Sequence, residues 1–156
     1  MIPGPLKILL VDDNPDDRFL VIRELGQIFS ALDVIEITEQ EGFDRVLEKG
    51  GFDLVITDYQ LCWNDGLAIL RAVKFKWPDC PVVMFTGTGS EEIAVEAMRS
   101  GLDDYVLKSP QHYAWLPTRV RLALEQAQQK QKYHSAEEAL RKSDSMLHAI
   151  IEAEPE

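Results

Sequence analysis

The chain has 156 residues, 46% of them hydrophobic, and 27 acidic against 16 basic side chains give it a net charge of −11. That much apolar material excludes a globally disordered chain and suffices for one ordinary domain plus an appendage. The acidity excludes a general electrostatic attraction to nucleic acid or to an anionic membrane, and fits either plain solubility or an acidic cluster that draws in a divalent cation.

In chain order, short β-rich apolar runs alternate with segments of helical spacing. The run LKILLV (6–11) reads as a first strand. Asn14-Pro15 then supplies a capping residue before a proline at the first helical position, and Phe19, Ile22, Leu25 and Ile28 or Phe29 recur at three- and four-residue steps. DVIEI (33–37) is a second strand, followed by a helix marked by Phe43, Val46 and Leu47. DLVIT (53–57) is a third, followed by Leu67, Leu70, Val73 and Trp77 at helical steps. PVVMFT (81–86) is a fourth; Ser90 with Glu91 and Glu92 starts the next helix, which carries Ile93, Ala94, Ala97 and Met98. DYVLK (104–108) is a fifth. Gly26 and Gly101 fall near helix ends or turns, where a positive φ is cheap for glycine.

From about Leu116 the character changes to a stretch rich in Ala, Leu, Gln, Lys and Glu, read as one long helix or two with a break. Leu116, Val120, Ala123 and Ala127 form a stripe expected to pack on the domain. Tyr133, Ala136, Leu140, Ser143, Leu147 and Ile150 form a second stripe, out of register with the first, expected to be a dimer seam or a connector. Cys62 and Cys80 lack metal-ligand spacing and read as free thiols in a reducing compartment. The run 6–11 is too short for a signal peptide or a membrane span, so a cytoplasmic location is expected.

Alternation of this kind implies an α/β fold with a parallel sheet covered on both faces, in which chemistry gathers beyond the carboxyl ends of the strands. Those ends carry Asp12-Asp13, Asp58, Thr86 and Lys108. If the first and third strands are neighbours, three carboxylates converge. Their mutual repulsion favours a cation among them, and Mg2+ suits hard oxygen ligands beside phosphate. Lys108 would add a fixed positive charge and Thr86 a hydroxyl, which together could stabilise a phosphoryl group. Each residue alone is more often a turn acid or a solvated charge; the signal is the set.

The stretches LLVDDNPDDR, LVITDYQLCWNDG, VVMFTGTGSEE and DYVLKSP resemble the response-regulator receiver family across about residues 5–125. The resemblance implies a flavodoxin-like sheet of order 2-1-3-4-5. It implies that Asp58 accepts a phosphoryl group from a histidine kinase or histidine phosphotransfer protein. Asp13 and Asp58 would bind Mg2+ (or Mn2+) directly, Asp12 through water, with the Gln60 backbone carbonyl as a further ligand. Lys108 would pair with the phosphoryl group, and Thr86 and Tyr105 would form the switch pair. The stretch AEEALRKSDSMLHAIIEAEPE (136–156) is similar to the helix that leads into PAS sensor domains, so a helical linker over residues 126–156, a bacterial multidomain protein and a homodimer through this helix are expected. Three positions depart from the family: Ser109 stands where a proline, joined through a cis bond, usually follows the lysine, with Pro110 one later, which leaves the site of any cis peptide open; Cys62 stands where the loop usually carries proline, beside an unusual Trp63-Asn64, with Trp63 either exposed as a partner contact or folded over the site; and Gln60 occupies a position that tunes dephosphorylation.

Rival chemistries lack their motifs. A haloacid-dehalogenase-type phosphatase needs Asp-x-Asp after the first strand, a flavodoxin needs its phosphate loop there, and a nucleotide-binding loop needs Gly-Lys-Ser/Thr. His112, His134 and His148 lack a kinase context. The alternative from another class is a degenerate receiver serving only as a dimerisation module.

Overall fold

The computed structural model describes the backbone of residues 4–153 and the side chains of residues 4–146. In β1 (Leu6–Val11), Ile8 and Leu10 enter one core while Leu9 and Val11 enter the other, and all four are buried. Side chains alternate along a strand, so a run that is apolar throughout requires cover on both faces. The chain supplies it by alternating β1, α1 (Pro15–Ile28), β2 (Leu32–Ile37), α2 (Gln40–Lys49), β3 (Leu54–Thr57), α3 (Gly66–Lys76), β4 (Val82–Thr86), α4 (Glu91–Arg99), β5 (Asp104–Leu107) and α5 (Pro110–Ala153). The five strands are parallel, in the order β2-β1-β3-β4-β5.

One face carries Val21 and Leu25 of α1 with Leu116, Val120, Ala123 and Leu124 of α5, packed on Ile8, Leu54, Ile56 and Phe85. The other carries Phe43 of α2, Ile69, Leu70 and Val73 of α3 and Ala97 of α4, packed on Leu9, Val55, Val82 and Met84. Caps fix where the helices begin: the Asn14 side chain accepts from the Asp16 and Asp17 N–H groups, Asp65 from Ala68, and Ser90 from Ile93.

Some expectations change in detail. The buried stripe of α1 is Val21 and Leu25, while Phe19 is 66% exposed and Ile28 also faces solvent. Gly26 lies inside α1 without a positive φ, whereas Gly101, just past α4, has φ 97°. Met98 is exposed and Ala97 takes the buried position of α4. Trp77 caps the end of α3 and donates its indole N–H to the Leu47 carbonyl at 2.8 Å.

The terminal helix is continuous and starts at Pro110, before the change in composition near Leu116. Ser109 caps it, its hydroxyl accepting from the His112 N–H, so Pro110 occupies the first helical position. No peptide bond among the described residues is cis. Pro117 sits within the helix; it has no N–H for the Tyr113 carbonyl one turn earlier, yet the helix continues past it. In the first stripe Leu116, Val120 and Ala123 are buried and Ala127 is half-buried; Leu124, outside the stripe, is buried as well, while every residue from Gln129 to Met146 is exposed. The side chains of Leu147 and Ile150 lie outside the described residues.

Candidate functional site

Register decides what meets at the carboxyl edge of the sheet. Val11 lies opposite Thr57, so Asp12 and Asp58, the next residues of β1 and β3, leave the sheet side by side. The Asp58 N–H donates to the Val11 carbonyl at 2.9 Å, which extends the ladder to the acidic residue itself. Thr86 lies opposite Leu107, so Lys108 emerges beyond β4, and its N–H donates to the Thr86 carbonyl at 2.8 Å.

The Lys108 ammonium donates to Asp12 Oδ2, Asp58 Oδ2 and Asp17 Oδ2, each at 2.8 Å, which uses all three of its donors. Burial alone would pull this ammonium down, but the three bonds overcome it and hold the lysine above its usual range. Asp12 is 3% exposed. Burial pushes its carboxyl above the usual carboxylate range, and the bonds from Lys108 and from the Asn14 N–H counter this only in part. Asp17 also accepts from the Tyr113 hydroxyl at 3.1 Å. Burial and the Asp17 charge push that phenol up to about 12.

Asp13 faces the loop after β3. Its carboxylate accepts from the Cys62 N–H and, at 2.9 Å, from the Trp63 indole N–H. Trp63 is therefore folded over the site, half-buried, rather than displayed to solvent. Gly66 makes this loop possible. A Cβ there would lie 2.6 Å from the Asp58 carbonyl oxygen and 2.8 Å from Tyr59 Cα, so only glycine lets the start of α3 come so near the acidic residue.

Thr86 is fully buried, but its hydroxyl points into its own loop, donating to the Thr88 carbonyl at 2.8 Å and accepting from the Thr88 N–H at 3.2 Å. The Tyr105 hydroxyl is buried against Gly89 and has no hydrogen-bond partner among the described residues. The Gln60 N–H approaches Asp58 Oδ1 at 3.4 Å, and its side-chain oxygen accepts from the Thr88 hydroxyl at 3.3 Å.

Asp12, Asp58 and Lys108 are thus in direct contact, Asp13 stands at the edge, and Thr86 and Tyr105 lie under the β4–α4 loop without touching Asp58 through a hydrogen bond. No three His, Cys, Asp or Glu side chains among the described residues form a ready-made metal cage. Mg2+ needs none: it takes one or two carboxylates and keeps several waters. The hard oxygens of Asp12, Asp13 and Asp58 are donors of the type it prefers.

Sequence reasoning missed two participants, Asp17 and Tyr113. Asp17 is a first-turn acid of α1, where an acid is the ordinary helix-start residue, so nothing singled it out. Tyr113 reaches the site from α5, whose packing no local pattern encodes. Of the two readings of Trp63, the structure shows the one folded over the site.

The family model for the response regulator receiver domain matches residues 8–116. The chain belongs to that family. This receiver domain is 33% identical over 102 residues to the response regulator protein PilR of Pseudomonas aeruginosa, a match covering 65% of this chain and 22% of PilR. It spans about a quarter or less of the length of the curated relatives it matches, 25% for the response regulator protein FleR of the same species. NtrX from Brucella abortus, solved in complex with ADP, superimposes with a TM-score of 0.73 at 31% identity, over 83% of this chain and 29% of NtrX. The BeF3-activated DrrB receiver domain gives a TM-score of 0.66 at 29% identity, over 78% of this chain and 98% of DrrB. Receiver domains are regulatory modules of two-component signalling, phosphorylated by histidine kinases or phosphotransfer proteins, and generally bind Mg2+ at the phosphorylation site. No described helix is long and apolar enough to cross a membrane.

Proposed function

We propose that this receiver domain is a reversible phosphoryl switch with Asp58 as the acceptor. The observation that carries the reading is the Lys108 ammonium bonded at once to Asp58 and Asp12 at the carboxyl edge of the sheet. An oxygen of Asp58 attacks the phosphorus of a phosphohistidine on a histidine kinase or phosphotransfer protein. The P–N bond breaks, the P–O bond of an acyl phosphate forms, and the imidazole leaves with its proton. Lys108 can keep Asp12 and Asp17 while turning its third donor to a phosphoryl oxygen, so the new charge meets a cation already in place. Mg2+ or Mn2+, held by Asp13, Asp58 and the Gln60 carbonyl, with Asp12 through water, would neutralise further phosphoryl charge.

Thr86 then exchanges Thr88 for a phosphoryl oxygen. This frees the β4–α4 loop, beneath which the Tyr105 hydroxyl already lies unpaired. Repacking of Thr86 and Tyr105 passes the change to α4, β5 and α5. We assign residues 5–125 to the receiver and 126–156 to a helical linker that joins a second copy and leads to an output or PAS domain. The exposed apolar side chains of Tyr133 and Leu140 on the projecting helix support that assignment.

Intact mass after treatment with acetyl phosphate and MgCl2 tests the acceptor. The parent chain should gain one phosphoryl group and Asp58→Asn none, with both showing the same circular dichroism. A normal gain by Asp58→Asn would sink the assignment. No gain by the parent, with the fold intact, would favour a silent receiver used only for dimerisation.

A further inference from the structure

Proline at the position of Cys62 would have no N–H to give. Cysteine restores one, and it is used: the Cys62 N–H donates to Asp13 Oδ2, while the indole of the next residue, Trp63, donates to Asp13 Oδ1 at 2.9 Å. The indole is itself held. It packs on the core beneath α2 and α3, and its ring centre lies 6.4 Å from that of Phe43. The neighbouring Asn64 amide donates to Gln40 of α2 at 2.8 Å, which ties the same loop down from its other side. A carboxylate has about four acceptor directions, so two donors leave Asp13 with acceptor capacity for a cation.

We infer that Cys62-Trp63 is a clamp that fixes the orientation of Asp13 and so raises the affinity of this receiver for a divalent cation. The inference rests on the proposed role of Asp13 as a ligand. An unclamped aspartate at a loop edge would have to give up rotamer freedom when it takes a cation. The two donors remove that freedom beforehand and keep the carboxylate directed. Trp63 is in this sense a positioning residue: its N–H acts through Asp13.

Calorimetric titration of the 156-residue chain with MgCl2 tests the clamp, with metal-free melting curves run alongside to verify folding. Trp63→Phe keeps a ring over Phe43 but deletes the donor, and should weaken Mg2+ binding about 10-fold, the low end for losing a group that orients a metal ligand. Cys62→Pro should weaken it from the other end of the clamp. Unchanged affinity in folded Trp63→Phe would overturn the clamp. Tighter binding would overturn it in the opposite sense, by showing that the two donors compete with the cation. If Asp13→Asn binds Mg2+ like the parent, the ligand assignment itself fails and the clamp falls with it. Weakening in Asp13→Asn but not in Trp63→Phe removes the clamp alone.

Discussion

At the scale of single residues, the site sets function against stability. Asp12 is buried beside Asp58, and its carboxyl is pushed above its ordinary value of 3.8 by desolvation that Lys108 only partly offsets. A raised pKa on an acid means that the native state holds the proton more tightly than the unfolded chain. Below the unfolded value both states are protonated and the group costs nothing; as pH rises through the raised native value, stability is lost. Asp12→Asn, free of metal, should therefore melt higher than the parent at pH 7, by about 1 kcal/mol or roughly 3 °C. The advantage should shrink toward pH 4. Melting curves at the two pH values decide it; no gain at neutral pH would mean that the bond to Lys108 fully offsets the burial. The meeting of Asp12, Asp58 and Lys108 was legible in the sequence because each follows an apolar strand, and parallel register delivers strand ends to one edge. The contacts of Asp17 and Tyr113 were not, because they depend on helix phase and helix packing, and the sequence leaves Trp63 between two readings because its place depends on loop packing.

Secondary-structure elements were legible where burial runs along the whole segment. The five strands appear within a residue of the apolar runs that predict them; the central strands β3 and β4 are buried at every position, so no polar position blurs their ends, while the edge strands β2 and β5 keep exposed positions at Asp33, Glu36 and Leu107. Helix phase was harder. In α1 both Phe19 and Val21 are apolar, and the rotation of the helix about its own axis puts Val21 with Leu25 in the core and leaves Phe19 outside. The start of α5 was hidden by Ser109-Pro110, which reads as a question about a cis bond but works as a cap with proline at the first helical position. The packing of α5 predicts how much of it the domain needs. Its last fully buried residue is Leu124, and the chain is wholly exposed from Gln129 to Met146. Truncation after Gln128 should leave the melting temperature within about 3 °C of the parent, a change under roughly 1 kcal/mol, while the helical dichroism falls. A larger drop would show that the projecting part stabilises the receiver.

On the scale of the whole molecule, the proposed dimer would give the projecting helix its cover. An isolated helix is marginal in water, and most helical stability in proteins comes from packing an apolar face. Past the receiver, Tyr133, Leu140 and Met146 are 68%, 72% and 66% exposed, and no part of the described domain covers them. A second copy is the natural cover, but each copy brings a net charge of −11, so pairing works against repulsion. Three consequences can be read by light scattering on the 156-residue chain. Raising the salt from low to physiological should increase the dimer fraction, because screening reduces the repulsion while leaving the apolar seam intact. Beryllofluoride with MgCl2 should increase it further in the parent but not in Asp58→Asn, if the switch at Asp58 reaches α5. Leu140→Lys should lower it under every condition by adding a charge to the seam. A dimer fraction indifferent to Leu140→Lys would move the interface off the projecting helix. One that responds to Leu140→Lys but not to beryllofluoride would leave the helix a constitutive connector, uncoupled from the acceptor.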